Sequence, residues 1–241
     1  MNAYNAMANM DQMTEITKEA ENTYMFFRSN VTHEAVILQE PSYTPVNDPD
    51  NSAYYSAEGK TITAGDQEKR LCSEYQISHY HCNMAAFIQL GQWFDYLRSE
   101  GVYDNTRIII VSDHGRDLQI FDSSTEAMLD KDFYMPMLLV KDFNAEGFTT
   151  SREFMTNADV PALSMEGLIE DPVNPFTGNP VDTAGKEGTQ YVILSDQWDI
   201  TENNGNQFTE SRWAAVSEDI WNKENWEIYE ELSLLPPGVG E

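Results

Sequence analysis

The sequence predicts an α/β fold in which a mostly parallel sheet is flanked by helices. Apolar residues recur at helical spacing through residues 72–100, and Gly101 follows where a helix end favours positive φ. A short turn leads into residues 107–112, a run of branched aliphatic side chains that is typical of a buried strand. A helix that runs directly into a strand is the crossover unit of parallel sheets. We expect residues 1–241 to form part of one such domain.

The elements before this helix are predicted from composition and spacing. Residues 2–20 carry methionines at spacings of about three, which predicts an amphipathic helix with a packing face. Residues 23–27 predict a buried strand that opens into a turn at 28–33, so His33 is expected just past a strand end. Residues 41–70 are rich in Pro, Asn, Asp, Ser, Tyr and Gly without a sustained period, which predicts a long surface excursion.

The remaining half of the chain alternates apolar runs with loops. Residues 171–190 are rich in Pro, Gly and Asn and predict a loop, and Pro136 indicates that its strand lies at an edge or carries a bulge. The further predicted elements are a strand at 134–140, a helix at 160–169, a strand at 190–195 and a strand or short helix at 213–231.

The charge of the chain limits its partners. The sequence has 41 acidic and 14 basic residues, which gives a formal net charge of −27. A field of that sign repels nucleic acid and anionic membrane surfaces, so we exclude nucleic acid as a partner. An anionic substrate would need a local cation or metal ion to offset the same field.

Two further features concern the compartment and the cysteines. No apolar stretch is long enough to span a membrane and the first residues lack the pattern of an export signal, which predicts a soluble chain. Cys72 and Cys82 could be bridged only if the chain bends between them, so we favour free thiols on one helix.

Asp113 and His114 stand at the end of the predicted strand, where ligands of parallel sheets bind. A turn at Gly115 could direct both side chains at one ion, and a carboxylate with a neutral imidazole suits Mn²⁺ or Zn²⁺. The alternative is that Asp113 caps a turn and that His114 is an ordinary surface residue.

The run "YHCNMAAFIQLGQWFDYLRSEGVYDNTRIIIVSDHGRDL" resembles the helix, turn, strand and metal motif of sulfatase-like proteins in the alkaline phosphatase superfamily. Its closest resemblance is to the branch of lipoteichoic acid synthases and phosphoglycerol transferases. The likeness continues through "MPMLLVKDF", "FMTNADVPAL" and "DPVNPFTGNP", and covers about residues 23–230 at uneven strength. It implies an alkaline-phosphatase-like sandwich whose amino-terminal part is missing.

The resemblance also implies roles for particular residues. Asp113 and His114 correspond to the family's metal ligands, and Thr32-His33 corresponds to an upstream "TH" whose histidine contacts the transferred phosphate or sulfate. Arg116 has no secure counterpart, and it is either an anion-binding residue or a solvated or ion-paired one. The implied metal is Mn²⁺, with Zn²⁺, Mg²⁺ or Ca²⁺ as alternatives, and two protein ligands predict that it binds weakly.

The sequence departs from the family at the nucleophile. The family's Thr, or its modified Cys in "CxPSR", and a further acidic metal ligand are not recognisable, so no catalytic nucleophile is assigned and the chain should be inactive alone. The expected parent carries membrane spans upstream and works on the extracellular face of a bacterial membrane. Its expected substrate is a phosphate or sulfate ester such as a glycerophospholipid, used in cell-envelope polymer synthesis.

Other interpretations remain open. The chain could be a true sulfatase portion, or a non-catalytic interaction domain that retains the fold and uses its acidic surface and residues 41–70 for a partner. An incomplete sheet would expose an edge, which predicts a homodimer or coverage by residues 2–20. His79 and His81 diverge by about 200° on a helix and are interpreted as structural. The five tryptophans are interpreted as packing residues.

Overall fold

The computed structural model describes residues 2–18, 22–33, 35–64, 67–120, 131–195 and 209–239. The chain divides into two compact units, Met1–Thr106 and Arg107–Glu241. Helices and strands occur together, and every sheet in the described ranges is antiparallel. Within the same ranges, no helix is both long and apolar enough to cross a membrane.

The first unit is organised around the helix α3, Glu74–Ser99, which confirms the predicted helix at 72–100. Ser73 begins the helix with a capping box, because its hydroxyl accepts the Gln76 N–H at 3.2 Å and the Gln76 side chain accepts the Ser73 N–H in return. Gly101 follows with φ of +71°, as the sequence predicts. Cys72 and Cys82 are both free thiols.

The amino-terminal segment packs against α3 as two short helices, α1 at Asn2–Ala8 and α2 at Met10–Met13. The expected continuous helix over 2–20 is therefore wrong, since Asn9 leaves helical geometry with ψ of 27°. The predicted packing face is present. Met7 and Met10 are buried, and the Trp93 indole donates to the Thr14 hydroxyl at 3.0 Å.

A hairpin lies within the predicted surface excursion. Strands β1, Lys60–Ala64, and β2, Gln67–Leu71, pair antiparallel with Lys60 opposite Leu71. Gly59, at φ of +108°, brings its backbone so close to β2 that a Cβ atom would lie 2.2 Å from the Leu71 carbonyl oxygen. These strands carry mostly polar residues, so hydrophobic alternation does not reveal them.

The aromatic segment at 23–27 is not the buried strand that its composition predicts. It lies outside any helix or strand, and the side chains of Tyr24 and Phe26 are 73% and 78% exposed. The segment is apolar at consecutive positions and lacks the alternation that would distinguish a buried face from a solvated one. Composition alone therefore wrongly predicts that residues 23–27 are buried.

The described residues of the second unit form two antiparallel sheets. In the first, β3 at Ile108–Val111 pairs with β4 at Leu138–Lys141. In the second, β5 at Gln190–Leu194, β6 at Ser211–Val216 and β7 at Trp226–Ser233 lie in the order β5-β6-β7. The described sheets give no support to a mostly parallel sheet. A helix that precedes a strand does not determine the direction of that strand's partner, and β4 runs opposite to β3.

Other elements of the second unit agree in part with prediction. The strand expected at 134–140 begins only after Pro136, and the helix expected at 160–169 is α4, Val160–Met165. The region 213–231 contributes to two strands, and the 171–190 segment is mostly loop. Trp213 and Trp226 donate to backbone carbonyls of their own sheet region, as packing tryptophans do. Trp221 departs from the predicted packing role, because it is 64% exposed, and Trp198 lies outside the described residues.

Candidate functional site

The Asp113-His114 turn follows the end of β3 and is tied to two neighbouring segments. The Ser112 N–H donates to the Met137 carbonyl at 3.1 Å, and the Ser112 hydroxyl accepts the Met137 N–H at 2.7 Å. The Asn157 side-chain amide donates to the carbonyls of Ser112 and Asp113, each at 3.1 Å. These bonds hold the backbone that carries Asp113 and His114.

Gly115 is required in this turn by a close backbone approach and not by positive φ. Its N–H donates to the Phe133 carbonyl at 2.9 Å. A Cβ atom at this position would lie 1.9 Å from the Asp132 carbonyl oxygen, well inside any allowed contact. The glycine therefore lets the turn lie directly against residues 132–135.

The His114 ring is held in one orientation. Its Nδ1 lies 2.6 Å from the Gly115 carbonyl oxygen, and its ring stacks on Phe133 with centroids 5.0 Å apart. A carbonyl oxygen only accepts, so Nδ1 carries a proton, and in the neutral form of the ring the lone pair is on Nε2. This is the tautomer of a histidine that binds a metal through Nε2 while its other nitrogen donates to a carbonyl.

Asp113 stands next to that lone pair. Its Oδ1 accepts the His114 N–H at 3.1 Å and lies 3.9 Å from His114 Nε2. Both side chains are accessible, with 86% exposure for Asp113 and 41% for His114. Because each ligand atom lies about 2.0–2.2 Å from a zinc-sized ion, two atoms 3.9 Å apart can reach the same ion. The pair fits a divalent metal, although the described residues contain no group of three potential metal-binding side chains.

The two remaining predicted site residues are Arg116, which is close to this pair in the sequence, and His33, which is distant from it. Arg116 is exposed two residues after His114. His33 is exposed in a turn where its N–H donates to the Asn30 carbonyl at 3.1 Å. His33 belongs to the first unit, whereas Asp113 belongs to the second. Its expected position beside the metal ligands stays a prediction.

A second polar cluster, which we call the Glu40 cluster, lies inside the first unit and consists of Glu40, Lys60 and His81. The Lys60 ammonium contacts Glu40 Oε2 at 2.6 Å, and His81 Nε2 lies 2.9 Å from Glu40 Oε1. Glu40 and His81 are almost completely buried, with 2% and 0% side-chain exposure. The prediction that His81 is structural agrees with this burial, and His79 is also buried, with its ring against Tyr75.

The hydrogen bonds define the protonation state of the Glu40 cluster. The Leu38 N–H donates to His81 Nδ1 at 3.0 Å, so the ring is neutral and its Nε2–H points at the Glu40 carboxylate. Burial lowers the pKa of His81 and outweighs the opposing attraction of Glu40. Burial opposes ionisation of Glu40, but the hydrogen bonds from Lys60 and His81 outweigh it, so the pKa of Glu40 is lowered.

Sequence reasoning missed the Glu40 cluster because its members come from three separate segments. Glu40 precedes the hairpin, Lys60 begins β1, and His81 lies on α3. No spacing pattern connects them, and Lys60 lies within a region interpreted as solvated. The only usable signal was the presence of histidines on the packed helix.

Comparison of the chain with models of protein families, with curated proteins and with solved structures finds no match. The resemblance to sulfatase-like proteins therefore depends on the sequence motifs quoted above alone.

Proposed function

We propose that this chain is the carboxyl-terminal part of a metal-dependent enzyme that transfers or hydrolyses a phosphate or sulfate ester. The reaction we favour is phosphoglycerol transfer in cell-envelope polymer synthesis. One observation supports the proposal above the others: Asp113 Oδ1 and His114 Nε2 lie 3.9 Å apart while the Gly115 carbonyl holds the proton on Nδ1. The small antiparallel sheets do not support an alkaline-phosphatase-like sandwich. That fold is therefore proposed together with the activity.

The charge balance explains why such a site would use a metal. The chain carries a formal charge of −27, which repels an anionic ester. A divalent ion, Mn²⁺ by preference, would provide local positive charge and lower the pKa of an attacking hydroxyl. Asp113 would offer a carboxylate oxygen and His114 the lone pair of Nε2. His33 would contact the ester oxygens.

The proposal assigns the nucleophile and a further acidic ligand to a part of the enzyme outside this chain. Catalytic metal sites normally have three protein ligands, so a site with only two should bind a divalent ion weakly. We expect Mn²⁺ to bind the isolated chain with micromolar or weaker affinity, and Asp113→Ala to remove that binding. Isothermal titration calorimetry with MnCl₂ measures both.

A matched control separates the site from the general attraction of an acidic chain for cations. Asp104→Ala removes one exposed carboxylate elsewhere, so its Mn²⁺ titration should match that of the wild type. Equal binding by the wild type and Asp113→Ala would contradict the assigned site. Submicromolar binding by the isolated chain would contradict the two-ligand account.

The exposed aromatic segment favours a second candidate, a non-catalytic interaction domain. Tyr24 and Phe26 are more than 70% exposed on an otherwise acidic chain. Exposed aromatic side chains close in sequence are typical of protein contact sites. Under this alternative, Asp113→Ala would leave every activity of the parent protein unchanged, whereas the enzyme proposal predicts its loss.

A further inference from the structure

A half-open concavity of about 450 Å³ lies in the first unit, on the surface next to the Glu40 cluster. Ile37, Pro49 and Ile77 form its apolar wall. Asp50 and Glu74 add two exposed carboxylates, and all of its lining belongs to the described residues and includes no Lys, Arg or His. The lining therefore combines apolar surface with two carboxylates and contains no basic side chain.

The floor of this concavity is held by buried hydrogen bonds. Asn51 is 6% exposed, and its side-chain amide donates to the Leu38 carbonyl at 2.8 Å while its oxygen accepts the Glu40 N–H at 2.8 Å. The Tyr55 hydroxyl lies 2.9 Å from His81 Nε2. A site whose groups are already fixed loses little conformational entropy when a ligand binds.

The carboxylate of Asp50 is also fixed. Its Oδ1 accepts the Ser52 N–H at 3.0 Å, and its own N–H donates to the Gln39 side chain at 3.0 Å. Hydrogen bonds from Ser52 lower the pKa of Asp50, so it is ionised at neutral pH. Lys60 lies 5.7 Å from the Tyr55 ring centroid, but Glu40 compensates its charge at 2.6 Å. It therefore does not cancel the negative lining.

We propose that this concavity binds a small organic cation of the alkylammonium class. The carboxylates of Asp50 and Glu74 attract the charged nitrogen, and the Tyr55 ring offers an aromatic surface of the kind that binds quaternary ammonium groups. The alkyl part of the ligand packs on Ile37 and Ile77. A bare metal ion fits less well, because the apolar wall offers it no ligand atoms.

The test uses the full chain and two ligands of nearly equal shape. Choline carries a quaternary ammonium, and 3,3-dimethyl-1-butanol replaces its nitrogen by carbon and is neutral. We expect choline to shift the ¹H–¹⁵N NMR signals of the lining residues saturably, and the neutral analogue to bind about tenfold more weakly, since it loses the attraction of two partly solvated carboxylates.

Three variants locate the binding. Asp50→Asn and Glu74→Gln should each weaken choline binding by up to about fivefold, as expected for one exposed charge pair. Asp48→Asn makes the same change of net charge two residues away and outside the lining, so it should leave the affinity unchanged. Circular dichroism confirms that each variant is folded.

Several results would overturn the proposal. They are the absence of saturable shifts with choline, equal binding of the neutral analogue, and an Asp48→Asn effect as large as that of Asp50→Asn. The two lining variants change different segments, so a fold defect in one leaves the other as an independent test.

Discussion

The turn after β3 requires a residue without a side chain at Gly115. Its φ is not in the left-handed region, so an alanine would suit the backbone angles. The restriction comes from the Asp132 carbonyl oxygen, which a Cβ atom would approach to 1.9 Å. That carbonyl is backbone and cannot rotate away as a flexible side chain could. A substitution must therefore move the turn that carries Asp113 and His114.

This geometry predicts the effect of Gly115→Ala. We expect a loss of about 1–3 kcal/mol in the free energy of unfolding, the usual cost of forcing an extra methyl group into a packed site. Urea denaturation followed by tryptophan fluorescence measures it. Gly91→Ala is the matched control, because nothing lies within 4 Å of its added Cβ atom and alanine favours the helix α3 by up to about 1 kcal/mol. Equal stability of Gly115→Ala and the wild type would contradict the close approach.

At the scale of elements, the Glu40 cluster joins a loop, the first strand of a hairpin and a long helix. Lys60 and Glu40 form an ion pair in which the side chains are 11% and 2% exposed, and His81 adds a neutral hydrogen bond. Glu40 is the shared partner, because it accepts from both Lys60 and His81. Removal of one partner leaves a buried charge without compensation.

We predict that Glu40→Gln destabilises the protein by about 3–5 kcal/mol at pH 7.5, because Lys60 loses its counterion in a buried site. Glu58→Gln is the matched control, since the Glu58–Arg70 pair is 70% and 53% exposed and should contribute less than about 1 kcal/mol. Urea denaturation of both variants and the wild type measures the difference. If the Glu40→Gln protein were as stable as the Glu58→Gln protein, the Glu40 cluster would contribute little to the free energy of unfolding.

The same cluster predicts the direction of pH dependence. The pKa values of Glu40 and His81 are both lowered in the folded state from ordinary values of 4.5 and 6.5. Each group therefore contributes stability that is present above its ordinary pKa and is lost as the pH falls through the lower, folded pKa. The stability difference between the wild type and Glu40→Gln should shrink below about pH 4.5.

At the scale of the whole molecule, the negative charge and the edges of the sheets bear on assembly. The predicted homodimer stays a prediction, but β7 lies at an edge of its sheet and carries Glu227, Glu230 and Glu231. Like charges on a sheet edge oppose pairing between identical copies. The alternative cover by residues 2–20 also stays a prediction; in the described part of that segment, α1 and α2 pack against α3.

The enzyme proposal makes a prediction for the isolated chain. An aryl phosphate, an aryl sulfate and a phosphatidylglycerol analogue, each with Mn²⁺, should all remain unhydrolysed, because the proposed nucleophile lies outside residues 1–241. Product release measured by absorbance and by mass spectrometry checks this. The proposal would be contradicted if the wild-type chain hydrolysed one of these substrates and Asp113→Ala did not. Such a result would mean that a complete active site lies within this chain.

The sequence by itself determined the elements whose signals are local. The helix at 74–99 follows from apolar spacing and from the Ser73 and Gly101 ends, and β3 follows from a run of branched side chains bounded by turns. The adjacent Asp113 and His114 were also recognisable, because their relation to the strand end depends only on neighbouring residues. Their shared binding of a metal remains a prediction.

Only the tertiary structure decided the features that depend on partners far along the chain. The direction of β4 relative to β3, the exposure of Phe26 and the assembly of Glu40, Lys60 and His81 have no local signature. Strand pairing and burial depend on which surfaces meet, and a composition or a spacing does not contain that information. The requirement for Gly115 has the same origin, since the atom that excludes a side chain belongs to Asp132, seventeen residues away.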